Sequence, residues 1–126
     1  VFPPIYRANR ANRSGTYFQR MVAFGAELGK KGELPEPFVD QLAKILDFWN
    51  STETPRRSAL QAACFDPQRD HHLKARSGFP CLQQVSFSHD SSGGLAITGY
   101  YPSECILDRG YGNYLGLCHL GRYMAH

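Results

Sequence analysis

The sequence predicts an α+β fold, with helices packed on a mostly antiparallel or mixed sheet. Three observations carry that prediction. Residues 38–49 and 113–126 repeat apolar side chains at helical spacing. Residues 80–101 hold two β-rich runs around "DSSGG", a hairpin signal. The elements follow one another in the order α, α, β, β, β, α, which favours separate helix and sheet layers.

Each element has its own warrant. In "TYFQRMVAFGAEL" (16–28), Phe18, Met21, Val22 and Gly25–Ala26 recur at helical spacing. "GKKGELPEP" (29–37) is rich in Gly and Pro and reads as a loop. "PEPFVDQLAKILDFWN" (35–50) is the clearest helix, with Phe38, Leu42, Ile45, Leu46 and Trp49 on one face. Pro37 suits its first turn, and Glu36 and Asp40 sit where the helix dipole favours anions.

Pro55 stops the helical conformation. In "RRSALQAACF" (56–65), Leu60, Ala62 and Cys64 alternate with Ala59, Gln61 and Ala63, which predicts a buried strand. "DPQRDHHLKARSG" (66–78) is a polar loop. "PCLQQVSFSH" (80–89) and "GLAITGYY" (94–101) are the hairpin strands, and "PSECILDRGYG" (102–112) is irregular. "NYLGLCHLGRYMAH" (113–126) closes as a helix with Leu117, Leu120, Tyr123 and Met124 inward. Cys64 and Cys118 read as core thiols.

Composition bounds the function. A chain of 126 residues, 42% hydrophobic and 20% charged, is one globular domain's worth, which excludes disordered and fibrous classes. No apolar run reaches membrane-spanning length and no signal-peptide pattern opens the chain; four cysteines expected as free thiols point to a reducing, cytoplasmic compartment. A net charge of +3 favours anionic ligands mildly and does not imply nucleic acid. "RANRANR" (7–13), within a basic arm over residues 1–15, reads either as a phosphate contact or as a solvated terminus. The four cysteines lack C-x-x-C spacing and are expected as free thiols. The His71–His72 pair has no third ligand in view, so no metal site is expected.

Cys81 is the residue that raises a chemical question. It follows Pro80, whose fixed φ suits a strand approach, so its thiol is placed at a strand mouth. It reads as a buried structural thiol or as a nucleophile. Arg56–Arg57 reads as a solvated turn or as an anion clamp. Asn113 reads as a helix N-cap or as an amide that recognises a base edge.

Taken in order, "VDQLAKILDFWNSTETPRRSAL", "FPCLQQVSF" and "YYPSECILDRGYGNYLGL" resemble the thymidylate synthase and deoxycytidylate hydroxymethylase superfamily, over about residues 38–126. The resemblance implies a thymidylate-synthase-like fold and a pyrimidine nucleotide C5 methyl or hydroxymethyl transferase. Cys81 would be the nucleophile that adds to C6 of the base, and 5,10-methylenetetrahydrofolate would be the one-carbon donor. Arg56 and Arg57 would bind phosphate across the interface of a homodimer, Ser103 would touch phosphate, and Asn113 would read the base. In the family a carboxylate at that last position goes with cytosine, so Asn113 points to uracil.

Three positions depart from the family pattern: Leu82 stands for a histidine, Tyr101 for a glutamine, and Pro102 for a phosphate-binding arginine. Cys105 stands where the family usually has Asp, and Arg109, a few residues on, carries the charge that Pro102 lacks. These departures leave a second expectation, a catalytically degenerate relative serving as a nucleotide-binding or dimerisation module. Residues 1–126 are read as the central part of a longer domain, because the family's chain is about twice as long.

Overall fold

A computed structural model describes residues 15–26, 37–51, 53–71 and 79–126. All of the basic arm but Gly15, and most of the 29–37 loop, lie outside the described residues, as does His72. The described elements are α1 (Tyr17–Val22), α2 (Gln41–Ser51), a 3-10 turn (Arg57–Ala59), β1 (Gln61–Ala63), α3 (Pro67–Asp70), β2 (Gln84–His89), β3 (Leu95–Tyr100), a π turn (Ile106–Gly110) and α4 (Tyr111–Met124). The chain is α+β, as its pattern predicts.

The sheet is an antiparallel meander in the order β1-β2-β3. Its register sets Ala62 opposite Val85 and Val85 opposite Gly99, with Phe87 opposite Ile97. Because side chains alternate along a strand, Ala62, Val85 and Phe87 all face the helices. They join Met21, Leu42, Ile45, Leu120 and Met124 in one core between the two layers. Burying each of the Val, Leu, Ile, Phe and Met side chains among them contributes about 1.5–3 kcal/mol. Gln84, Ser86 and Ser88 alternate to the other face and take no part in that core.

Several boundaries differ from expectation, each for a local reason. α1 ends at Val22 because Phe24 leaves the helix to pair with Val39, through two backbone hydrogen bonds of 2.9 Å. Gly25 follows at φ +83°, a conformation that L side chains rarely adopt. The same pairing keeps residues 37–39 out of α2. That helix starts at Gln41, and the Asp40 carboxylate accepts the Ala43 N–H at 2.9 Å. Pro37 is therefore not its first turn.

β2 begins at Gln84, three residues after Cys81, because Gln83 is engaged differently. Its N–H donates to the Tyr100 carbonyl (2.9 Å), and its carbonyl accepts from Cys64 (2.8 Å) and Phe65 (3.2 Å). In the hairpin turn the Asp90 carboxylate accepts from the Ser92 N–H (2.8 Å) and the Gly94 N–H (2.7 Å), and Gly93 takes φ +83°.

Two features interrupt segments expected to be irregular. α3 forms inside the polar loop, capped by Asp66 and anchored by Asp70. The Asp70 carboxylate is fully buried and takes both arms of Arg20, at 2.7 and 2.9 Å. Arg20 also donates to the Cys64 carbonyl at 2.8 Å, so one guanidinium ties α1, β1 and α3 together. The π turn feeds directly into α4, which places Asn113 inside the first turn of that helix and rules out its reading as an N-cap.

Gln41 closes the free edge of β1. Its amide nitrogen donates to the Ala63 carbonyl (2.9 Å) and its oxygen accepts the Ala63 N–H (2.8 Å), so a side chain does what a fourth strand would do. Among the described residues no helix is long and apolar enough to cross a membrane.

Candidate functional site

Cys81 is a free, half-buried thiol on the turn between buried Pro80 and buried Leu82. Its neighbour is Tyr17, the first residue of α1. The phenol of Tyr17 is held above its ordinary value by burial first and then by the adjacent Cys81 sulfur, while hydrogen bonds with the backbone at Leu82 and Cys81 act the other way. Thr16 fixes the start of that helix by accepting the Gln19 N–H on its hydroxyl, at 3.2 Å.

Tyr17 and Leu82 both line a cavity of about 540 Å³ between α1 and α4. Phe18 and Tyr123, both in its lining, pack edge to face against each other, with ring centroids 5.4 Å apart. Tyr101 and Leu117 close the inner side, and Asn113 and His119 supply polar atoms. Gly112 and Gly116, one turn apart on α4, form part of the same wall, and a Cβ added to either would meet no atom within 4 Å. Packing therefore does not demand glycine at those positions, although each costs a helix about 1 kcal/mol relative to alanine. Their missing side chains leave the cavity its room.

Gly99 has the opposite explanation. A Cβ there would come within 3.0 Å of Leu117 and Tyr101 and 3.2 Å of Leu82, so its absence lets α4 and the Cys81 turn close on β3.

The polar groups of the cavity are few and specific. The Tyr101 hydroxyl is shielded from solvent and has no hydrogen-bond partner among the described residues. Burial first, then nearby Tyr17 and Glu104, push that phenol well above its ordinary value. Asn113 donates from Nδ2 to Oε1 of Glu104 at 2.8 Å, and the Tyr114 hydroxyl lies 3.4 Å from the other Glu104 oxygen.

The remaining residues singled out in the sequence lie elsewhere. Ser103 is exposed in the turn after β3, next to Glu104, and does not line the cavity. Pro102 and Arg109 are exposed as well. Arg56 and Arg57 are exposed at the start of β1, where the Leu60 carbonyl accepts the Phe87 N–H. Cys81 precedes the other end of β2. The six residues of that strand, at about 3.3 Å each, separate the two sites by on the order of 20 Å. Within one chain the arginine pair and the cysteine do not meet, and among the described residues neither Cys81 nor any arginine or lysine lines the cavity.

The other cysteines divide cleanly. Cys64 is fully buried, and burial above all pushes its thiol up to about 12, so it stays protonated and inert at neutral pH. Cys118 is exposed, contrary to the expectation of a core thiol. α4 turns its Leu117, Leu120 and Met124 stripe inward, and position 118 falls outside that stripe. Cys105 is exposed too. His71 packs its ring against Phe65 at 5.4 Å, and no group of three His, Cys, Asp or Glu among the described residues could hold a metal ion.

Pattern reading missed Tyr17, His119 and Glu104. Tyr17 and His119 sit in helices whose apolar spacing draws attention to other positions. The Glu104–Asn113 contact joins a turn to a helix, which no periodicity signals. Comparison with protein-family models, curated proteins and solved structures finds no match to this chain.

Proposed function

We propose that this chain is a thymidylate-synthase-like pyrimidine nucleotide C5 transferase, adding a methyl or hydroxymethyl group, with Cys81 as its nucleophile. The observation that supports the reading is that Cys81, which does not itself line the cavity, sits directly beside two residues that do, Tyr17 and Leu82, and that Asn113 lines the same cavity. The motif order of the sequence brought the same two residues forward. The cavity lies within the range of small-molecule sites, about 300–1,000 Å³, and is larger than one pyrimidine ring fills.

The chemistry assigns work to each residue. C5 of a pyrimidine is a weak nucleophile. The Cys81 thiolate forms a bond to C6, the ring electrons move to the C4 carbonyl as an enolate, and C5 gains nucleophilic character. Reversal of that addition expels the thiolate once C5 has lost its proton. Tyr17, whose phenol lies beside the Cys81 sulfur and which also lines the cavity, would bring the thiol and the ligand together. Asn113 reads the base edge with its amide. The unpartnered Tyr101 hydroxyl offers one further hydrogen bond to a ligand.

The apolar wall formed by Phe18 and Tyr123 would pack against the ring system of a donor such as 5,10-methylenetetrahydrofolate. When bound, that group would supply a one-carbon unit at the formaldehyde oxidation level, which gives a hydroxymethyl group with water and a methyl group only with a hydride, which the tetrahydrofolate itself would supply on becoming dihydrofolate. Phosphate binding falls to Arg56 and Arg57 of a second copy in a homodimer, because one chain keeps them about 20 Å from Cys81. Ser103 serves as a further phosphate contact at the turn edge. The four unpaired thiols fit a reducing, cytoplasmic setting.

The test is exchange of the C5 hydrogen. The full-length protein is incubated with uracil and cytosine nucleotides tritiated at C5, and label released to water is counted. Release by the wild type and its loss in Cys81→Ser support the reading; equal release by both proteins overturns it. Leu82, 2% exposed and part of the core where the resemblance expects a histidine, favours the second reading, a non-catalytic nucleotide-binding or dimerisation module. Nucleotide binding without any label release would decide for that module.

A further inference from the structure

We infer that Glu104 is a positioning residue that makes Asn113 selective for one pyrimidine base, uracil. This rests on the proposed function, since it assumes that the cavity holds a pyrimidine. An ionised carboxylate only accepts hydrogen bonds, so the Asn113 atom that faces Glu104 at 2.8 Å is the donor Nδ2. The amide orientation is thereby fixed by chemistry. Asn113 is left with its Oδ1 acceptor and one remaining N–H.

Those two groups complement uracil, whose N3–H donates to Oδ1 and whose O4 accepts from Nδ2. Cytosine reverses both positions: its N3 is an acceptor and its N4 amine a donor. In the same seat its N3 lone pair would face Oδ1, acceptor against acceptor. An unrestrained asparagine would solve this by rotating its amide half a turn. Here the rotation would place Oδ1 against the Glu104 carboxylate and give up a charge-assisted hydrogen bond. Glu104 is in turn steadied by Tyr114, from the next position of α4. It does not line the cavity, so its effect on the base passes through Asn113.

The two Glu104 variants make separable predictions. Glu104→Gln keeps the shape of the side chain and can hydrogen-bond either orientation of the Asn113 amide, so it removes only the constraint on sign. Glu104→Ala removes the contact altogether. Binding of uridine and cytidine, their deoxy forms and their monophosphates is measured by calorimetry on the full-length protein and on both variants.

The wild type is expected to favour uracil over cytosine by about tenfold to a hundredfold, the effect of one buried polar group left unmade. In both variants the ratio is expected to fall to within about threefold, half a log unit of the discrimination one hydrogen bond supplies. A wild-type ratio retained in Glu104→Gln overturns the inference while leaving the proposed function standing. Wild-type protein that binds none of the panel overturns both. A purely structural role for Glu104 would weaken binding of all ligands alike and leave the ratio unmoved, which also counts against the inference.

Discussion

Arg20 and Asp70 show what a single pair of residues does here. Both are buried, they share two hydrogen bonds, and the Asp66 N–H adds a third to the carboxylate at 2.9 Å. Burial alone would raise the Asp70 pKa, but the hydrogen bonds from Arg20 and Asp66 outweigh it and hold the carboxyl below its ordinary value. A depressed folded-state pKa gives stability that is present above the unfolded value, about 3.9, and lost as pH falls through the folded one. Asp70→Asn strands a buried guanidinium and should cost about 3–5 kcal/mol near neutrality. Urea midpoints of the two proteins should differ widely at about pH 7, and the gap should narrow as pH falls below about 4; a gap that does not narrow in acid would contradict this account. The pair was not legible in the sequence. Asp70 stands in a run of polar residues that reads as loop, and its partner lies fifty positions away.

At the scale of elements, α4 carries the cavity wall. Gly112 and Gly116 weaken the helix without relieving any contact, and under the proposed function their open surface is where the ligand sits. Gly116→Ala should therefore stabilise the fold by up to about 1 kcal/mol, read as a raised urea midpoint. It should also weaken nucleotide binding, read by calorimetry. A variant that is stabilised and binds as well as the wild type would show that the cavity is not the site. The elements themselves were largely legible. Leu60, Ala62 and Cys64 alternate as a strand should, and the turn chemistry of Asp90 to Gly94 announces the hairpin. The helix starts were not, because Phe24 and Val39 pair across a stretch of sequence and no local signal records that. Nor was the exposure of Cys118, which depends on how α4 is rotated against β3.

For the whole molecule, the separation of Arg56–Arg57 from Cys81 is the decisive constraint. The two were legible as candidates, but their placement at opposite ends of β2 follows from antiparallel register and could not be read from order alone. In one chain Cys81 lies behind Tyr17 and Leu82, beside a cavity lined by Asn113 and by no arginine or lysine among the described residues; two chains can supply both the cavity and the cationic pair. If so, Cys81→Ser and an Arg56→Ala, Arg57→Ala double variant are each inactive alone. Mixed and allowed to exchange subunits, they should recover part of the wild-type rate, because one mixed site inherits both intact halves. Failure to recover any activity, with exchange verified by light scattering and mass tags, would place the arginines outside the site.

The central claim is that Cys81 adds to C6 of a pyrimidine. A 5-fluoropyrimidine nucleotide tests it most directly, since the fluorine cannot depart as the C5 proton does and the adduct stalls. The full-length protein is incubated with that nucleotide and 5,10-methylenetetrahydrofolate, then digested and mapped by mass spectrometry. The account predicts the added mass on the peptide that contains Cys81, with Cys64, Cys105 and Cys118 unmodified. No adduct, or an adduct on any of the other three, would contradict it.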